Sequence, residues 1–477
     1  MKIDGINING ITSDSRKVKK GYAFVAIKGE EKDGNDYIDS AIKNGAVIIY
    51  SEKEILGKPI PIVKVENARI TLANMLNMFY GYPSQKISLI GVTGTNGKTT
   101  TTHIIEDIFR NAGFKTGLIG TLGIKINGVC VLSSLTTPEP EVLFDMLNRM
   151  AQQGVQVVIM EVSSHGLKFH RTYGLDFDIA IHTNIEIDHM NIHKDINDYI
   201  NTKKMLFDSL KRNRISILNI DDNNAMKLIM DNDKTLILTY GLNSKASITA
   251  SSLELNKEVC FTVCLQRGLT ALNGTEVEPL EFPVKLNLMG KHNVYNSLAA
   301  IGVALYFGIS PNTISNSLSN FHGVYRRLNK IYDKDFLVID DFSHNPSGYE
   351  AVFETIQGLD YNKIILVNAI RGNRGIEINE YNANVICSWS KIIGPIKIIL
   401  SKSEDAVEEN DRVKDEEISV YQKVFDKNSI SYSICNTLEE AINEALNNVI
   451  KRDIVLLLGA QGMNKGRHIF LRLTSLK

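Results

Sequence analysis

Five cysteines in 477 residues are too few and too scattered to form a disulfide framework. Cys130, Cys260, Cys264, Cys387 and Cys435 make no CxxC pair, and no histidine cluster accompanies Cys260 and Cys264. This disfavours a structural metal site, and the thiols read as reduced, as in the cytosol. An excess of charge of one sign is also missing: Lys+Arg 53 stand against Asp+Glu 54, a formal charge of -1. That balance excludes a strongly basic nucleic-acid binder and an acidic tail protein. It leaves open a small polyanion, whose phosphates need only a few local donors. Long hydrophobic runs are absent as well. MKIDGINING carries no apolar signal core, and IVLLLGA from Ile454 is too short to span a bilayer. There is no internal repeat and no low-complexity segment. The expectation is a soluble, cytoplasmic protein, taken as a monomer, with no nucleic-acid or membrane partner.

What is present is an ordinary globular composition, 43% hydrophobic and 22% charged, over a length that suits about three domains. Tyr22–Ile27, Ala46–Tyr50 and Ile62–Val65 read as strands flanked by helical stretches at Tyr37–Lys43 and Ile70–Phe79. Tyr82-Pro83-Ser84 punctuates a linker. A longer α/β region follows, with strands at Ile87–Val92, Val155–Val162, Ile179–His182 and Ile215–Ile220 and a helix at Thr99–Ala112. Alternating strands and helices imply a mainly parallel sheet. Between Ala246 and Leu288 the alternation shortens, which predicts added antiparallel strands; Asn293–Phe307 and Ser310–Leu318 are helical. A third α/β pattern holds strands at Phe336–Asp340, Lys363–Val367, Lys397–Leu400 and Ile454–Leu458, with Leu438–Val449 helical. The acidic run Glu404–Glu417 reads as a solvated loop or helix face. The breaks fall at 1–85, 86–328 and 329–477.

The most specific local text is Gly91-Val-Thr-Gly94-Thr95-Asn96-Gly97-Lys98-Thr99-Thr100, between a strand and a helix. Glycines let the backbone turn its N–H groups onto phosphate oxygens, and the helix N-terminus adds favourable potential. Lys98 supplies a charge for the β- and γ-phosphates and the Thr99 hydroxyl reaches Mg²⁺. Val92 stands where the strict P-loop pattern has its first Gly, so a plain glycine-rich turn is the alternative. ATP binding is the expectation. Glu161, in EVSSHGL, sits at the carboxyl end of an apolar strand, where α/β sheets collect ligands, and suits Mg²⁺. His189, in NIEIDHMNIH, taken alone is more often structural than a ligand.

TGTNGKTTT, EVSSHGL, the run from Thr183 to His189, GKHNVYNSLAA and VIDDFSHNPSG occur in this order along the chain. Together they resemble the Mur ligase family of ATP-dependent amide-bond-forming enzymes, and ITSDSR with GYAFVAIKGEEKDG is similar to the UDP-binding domain of its MurE type. The resemblance implies three α/β domains: a UDP-substrate domain, a central P-loop ATPase domain and a Rossmann-like C-terminal domain. It implies an acyl phosphate formed from the acceptor carboxylate and ATP, then attacked by the amine of a free amino acid. By the resemblance, Gly94, Thr95, Asn96, Gly97, Lys98, Thr99 and Thr100 hold the phosphates. Asn293, Asn296, Arg327 and Asp341 contact the nucleotide, and His344 shares that loop. Thr99, Glu161, His189 and a carbamate on Lys203 bind Mg²⁺, at one or two sites. The run DYINTKKMLF selects Lys203 for that N6-carboxylysine, because it lies four after Tyr199 and three before Leu206-Phe207. Ser13, Ser15, Gly29, Glu30, Glu31 and Lys32 correspond to uridine-diphosphate contacts, and Thr136, Thr137, Ser163 and Arg171 to contacts with the rest of a UDP-linked peptide precursor.

The sequence departs from the MurE type where the amino acid is selected. Leu400-Ser-Lys-Ser-Glu404-Asp405 replaces a DNPR signature, so no Arg meets a distal carboxylate; Glu404 or Asp405 facing an ammonium favours L-lysine. Arg374 matches the arginine for the amino acid's carboxylate. Asn464 stands where a Glu recognises its amine, and Phe169, Tyr325 and Arg326 replace a Gln, a Pro and a Gly. IRGNRG looks like the archaeal pseudomurein branch, which makes a glutamyl UDP-peptide the preferred acceptor and a muramoyl peptide of bacterial peptidoglycan the close alternative. Folylpolyglutamate or cyanophycin ligases and a non-catalytic ATP-binding partner are the other readings. Without substrates, Arg327 and Asp341 are expected far from Lys98, in an open arrangement.

Overall fold

Short runs rich in Val and Ile, bounded by glycine and polar turns, form the buried strands of three sheets. The computed structural model describes residues 1–475 except 4, 30, 132, 134, 187, 189–191, 244 and 256–257. The first sheet is four-stranded and parallel, in the order Gly10–Thr12, Tyr22–Ala26, Ala46–Ser51, Ile62–Lys64. The helix Ala68–Phe79 buries Leu72, Ala73, Met75 and Leu76, and its N-cap Asn67 accepts from Ile70 N.

The second sheet has eleven strands. Its parallel centre runs Thr116–Gly120, Val157–Glu161, Ser88–Thr93, Ile179–His182, Ile215–Asn219, Leu236–Tyr240. Antiparallel wings extend both edges, and Ile248–Leu255, Val259–Leu265 and Leu280–Leu286 supply the ladder expected after Ala246. Ser88–Thr93 is the first strand of this sheet in the chain, yet it lies at its middle. Later strands are added on either side of it, which makes its carboxyl end the switch point where α/β sheets open a crevice. The helix Lys98–Asn111 starts there and buries Ile104, Ile105, Ile108 and Phe109. Each such side chain contributes about 1.5–3 kcal/mol on burial, so packing holds the helix start against the sheet. The strand Leu236–Tyr240 goes beyond the sequence reading, although LILTY carries its apolar signal.

The third sheet has six strands, in the order Asn329–Asp333, Leu337–Asp341, Ile454–Leu458, Ile364–Ala369, Ile396–Ser401, Tyr432–Cys435. All are parallel except the first. The acidic run differs from its expectation at one end. Helix Asp415–Lys427 begins inside it, and Glu417 is only 2% exposed. Among the described residues no helix is long and apolar enough to cross a membrane.

Candidate active site

The turn after Ser88–Thr93 needs glycine at two positions. Gly94 has φ 149°, and a Cβ there would collide with Thr183 Oγ1. Gly97 has φ 87°, and a Cβ would meet Asn296 Oδ1 at 2.5 Å. Asn184 fixes the loop from the next strand: its carbonyl accepts from Thr95 N at 2.7 Å and its Oδ1 from Asn96 N at 2.9 Å. Lys98 Nζ donates to the Gly94 and Thr95 carbonyls, both at 2.8 Å. Burial lowers the pKa of its ammonium, while Glu161 and Asp188 oppose that shift.

Glu161 ends its strand at 0% exposure. Its carboxylate accepts from Thr99 Oγ1 at 2.9 Å, Thr121 N at 2.8 Å and Thr121 Oγ1 at 3.0 Å. No cationic side chain pairs with it among the described residues. A buried carboxylate beside a threonine hydroxyl, both in the wall of the cleft, is an oxygen donor set that suits Mg²⁺. The other expected ligand, His189, lies outside the described residues. Beyond Glu161 the wall continues through Thr137, whose Oγ1 donates to Glu161 O at 2.9 Å and accepts from Ser163 N at 3.0 Å. Arg171 Nη1 donates to Thr137 O at 3.0 Å and Nη2 pairs with Glu139 at 2.6 Å. Thr136 meets Thr121 at 3.0 Å.

Lys203 lies behind the loop, on helix Ile196–Asp208, 1% exposed. Nζ donates to Gly94 O at 2.8 Å and sits 4.4 Å from the centre of the Tyr199 ring. Burial, helped by Lys98, pushes its pKa well below the usual lysine range.

The third sheet closes the cleft. Arg327 Nη2 reaches Thr99 Oγ1 at 3.5 Å, and Arg327, Asp341, Phe342, His344 and Arg371 line the same space as Lys98, Thr99 and Glu161. The expected open arrangement is therefore not what the structure shows. Buried contacts hold the opposing wall in place: Asp341 accepts from Leu328 N at 2.7 Å and from Ser343 Oγ at 2.5 Å. Asn296 lines the cleft, and Asn293 stands behind it, accepting from Asn296 Nδ2 at 3.0 Å. Together these walls enclose about 870 Å³.

Four residues expected to select the amino acid lie elsewhere. Arg374 Nη2 pairs with Asp411 at 2.9 Å. Asp405 caps helix Leu438–Asn448, accepting from Leu438 N at 2.7 Å and Glu439 N at 3.3 Å, so it does not face an ammonium. Glu404 is exposed in the preceding turn, its N–H donating to Asn436 O at 3.1 Å. Asn464 Oδ1 accepts from Arg326 Nη1 at 2.6 Å. Arg326 is itself 2% exposed, paired with Asp340 at 3.0 Å and bonded to the Gly459 and Ala460 carbonyls. This departure from the family text is thus a buried brace. On the first sheet, Ser13 N and Oγ both donate to Glu141 at 2.9 and 2.7 Å, across to the central domain. Ser15 is buried, and Gly29 N donates to Lys32 O at 2.8 Å in the turn that carries Glu31. Glu30 lies outside the described residues. Sequence reasoning missed Thr121, His165, Asp188 and Arg371, all of which line the cleft. His165, a neighbour of Ser163 in EVSSHGL, is lowered to about 4, first by burial and then by Arg171.

With this geometry the sequence matches gain meaning. Residues 7–80 match the Mur ligase family catalytic domain, 92–304 the Mur ligase middle domain and 326–461 the Mur ligase glutamate ligase domain. A ligase of Caldanaerobacter subterraneus subsp. tengcongensis, UDP-N-acetylmuramoyl-L-alanyl-D-glutamate--2,6-diaminopimelate ligase, is 33% identical over 95% of this chain and 90% of its own. The chain belongs to the Mur ligase family. As a Mur ligase it is an ATP-dependent enzyme that joins an acid to an amino acid. A Clostridium acetobutylicum relative with the same activity in its name is 34% identical over 95% of this chain and 90% of its own. Among solved structures, a diaminopimelate-named ligase aligns with TM-score 0.67 at 24% identity over 99% and 98% of the two chains. A pseudomurein peptide ligase type C from Methanothermus fervidus aligns with TM-score 0.59 at 20% identity over 91% and 95%. Both show the shared Mur ligase fold. The likeness to the pseudomurein ligase is one of fold, whereas the two whole-chain relatives named above carry the diaminopimelate ligase name.

Proposed function

We propose that this Mur ligase adds an amino acid with a second amine, L-lysine or diaminopimelate, to UDP-N-acetylmuramoyl-L-alanyl-D-glutamate. One observation carries the reading: a single cleft joins the phosphate loop at Lys98 to the Thr137–Arg171 wall. The relatives' names supply the acceptor and diaminopimelate. The run Leu400–Asp405, which lacks an arginine for a second carboxylate, supplies lysine. The acceptor carboxylate attacks the γ-phosphorus and ADP leaves. The amine then attacks the acyl carbon, loses a proton, and phosphate leaves. Lys98 and Arg327 neutralise phosphate oxygens, and the Thr95–Thr100 amides orient them. Glu161 and Thr99 would hold Mg²⁺, with His189, to offset charge on the β- and γ-phosphates. Lys203 is suited to carbamylation, because burial lowers its ammonium pKa and so favours the neutral amine that attacks CO₂, releasing one proton. Asn296, backed by Asn293, and Asp341 are placed for the nucleoside. Ser13, Ser15 and the Gly29–Lys32 turn are assigned to the uridine end and Arg171 to the diphosphate or peptide. The divisions at 1–85, 86–328 and 329–477 follow the limits of the three sheets, and the cytoplasm, where ATP is available, is the place of action.

Phosphate release tests the reading. It should require ATP, the muramoyl dipeptide and either L-lysine or meso-diaminopimelate together. Release without acceptor, or only with a glutamyl UDP-peptide acceptor, would overturn it.

A further inference from the structure

Two acids of one short segment, Thr137-Pro138-Glu139-Pro140-Glu141, hold donors that the ligase reading gives to the acceptor. Glu139 Oε1 pairs with Arg171 Nη2 at 2.6 Å. Glu141 Oε1 accepts from both Ser13 N and Ser13 Oγ, at 2.9 and 2.7 Å. Ser13 follows strand Gly10–Thr12 of the first sheet, so this second contact crosses from one domain to the next. Acids at a helix start ordinarily serve the helix, by capping its amides or by meeting its dipole. Glu139 is the N-cap residue of helix Pro140–Gln152, yet its side chain makes no capping bond. Its carboxylate goes to Arg171 instead, and that of Glu141, in the first helical turn, goes to Ser13.

The donors are those of an oxyanion site. Ser13 brings an N–H and an O–H onto a single oxygen. Arg171 lines the cleft; its Nη1 is fixed by Thr137 O at 3.0 Å, which leaves Nη2 for an acid. Carboxylate and phosphate oxygens satisfy such groups alike. The main chain of the segment is pinned. Thr137 is buried with its hydroxyl bonded on both sides, the helix buries Leu143, Phe144 and Leu147, and a proline on each side of Glu139 restricts φ there. The carboxylates therefore leave their partners by side-chain rotation alone. Glu139 has room for it, being 48% exposed where Arg171 is 12% exposed.

Resting on the ligase reading above, we infer that Glu139 and Glu141 are a built-in competitor for the UDP-linked acceptor. Glu141 contests Ser13 at the uridine end, and Glu139 contests Arg171 further along. Acceptor oxygens and these carboxylates exclude one another at the same donors, so the acceptor binds only by turning both acids away. The product keeps the acceptor's UDP and sugar, and the returning carboxylates weaken its hold in the same measure. Weak retention of both is the consequence, which limits inhibition by product and by free UDP.

Glu139→Gln, Glu141→Gln and the double variant test this, since Gln keeps the shape and removes the charge. Titration calorimetry of the full chain with UDP should show Glu141→Gln binding on the order of 3- to 10-fold more tightly than the wild type. The KM for UDP-N-acetylmuramoyl-L-alanyl-D-glutamate should fall roughly 2- to 5-fold in Glu139→Gln, a partly exposed pair, and further in the double variant. In an Arg171→Ala background, Glu139→Gln should change that KM no more, because its partner is gone. ADP binding by each variant reports an intact fold; if the double variant fails to bind ADP, the single variants carry the test, in the same direction. UDP affinity and acceptor KM that stay unchanged or worsen overturn the inference and make the two acids a brace or direct acceptor contacts. A gain from Glu139→Gln that persists without Arg171 overturns it as well. Wild-type protein that binds UDP yet releases no phosphate with either amino acid would refute the ligase reading instead.

Discussion

Replacing Glu417 by Gln is a shape-preserving change with a calculable cost. Four backbone N–H groups converge on this carboxylate at 2.9–3.2 Å, two on each oxygen. The amide keeps one oxygen and turns an NH₂ group toward the other pair of donors. Two N–H groups at a site that is 2% exposed then lose their acceptor. Each orphaned donor costs about 1–3 kcal/mol, and local adjustment recovers some of that, so a destabilisation of about 2–4 kcal/mol is expected. For a domain of this size, 1 kcal/mol moves Tm by roughly 2–4 °C. Calorimetry of the full chain should therefore show the transition containing the third sheet lowered by roughly 5–15 °C. Glu416→Gln, exposed one residue earlier in the same helix turn, loses only a dipole interaction of less than about 1 kcal/mol and is the control. If both variants melt within 2 °C of the wild type, the carboxylate does not organise the loop 371–375, and the different placement of Arg371 and Arg374 needs another cause.

Three further outcomes follow from the same structure. Lys98→Ala should lower kcat/KM roughly 10²–10³-fold, as loss of a preorganised charge at a transferring phosphoryl does; full activity in that variant would refute its role at the phosphates. Lys203→Ala should lower kcat roughly 100-fold, with partial restoration by acetate or propionate; loss without rescue would count against a carbamate. Burial pushes the Asp340 carboxyl up from 3.8 to about 6, against the pull of Arg326. The folded state then keeps a proton the unfolded state has lost. The stability tied to that proton is present below about pH 4 and disappears as pH rises through 6, an effect on the order of 3 kcal/mol. Urea titrations at pH 4 and pH 7 should show Asp340→Asn gaining on the wild type with pH, and a pH-independent gap would refute the assignment.

Much of the cleft wall was legible because it is local. A strand, two glycines at positive φ, a lysine and a threonine opening a helix are contiguous, and every requirement of the turn is written within residues 88–100. Glu161 was legible for the same reason, at the end of an all-buried strand. Lys203 was legible only through the family spacing from Tyr199 and Leu206-Phe207, not from its own chemistry; helix Ile196–Asp208 buries it and leaves Lys204 paired with Asp208. Asp405 was misread because its partner is a helix start at Leu438, 33 residues on.

The sequence by itself determined the order of the three α/β units, the phosphate loop and the family, since these depend on periodicity and short spacings. The tertiary structure alone decided which charges enter the cleft. Arg371 and Arg374 share one loop and the same chemistry, and a carboxylate more than forty residues away turns one inward and the other out. Burying a charge is costly unless it is paired. The placement of each arginine was therefore settled by the partners that the packed chain brings to it, Asp411 for Arg374 and Asp188 at the cleft wall for Arg371.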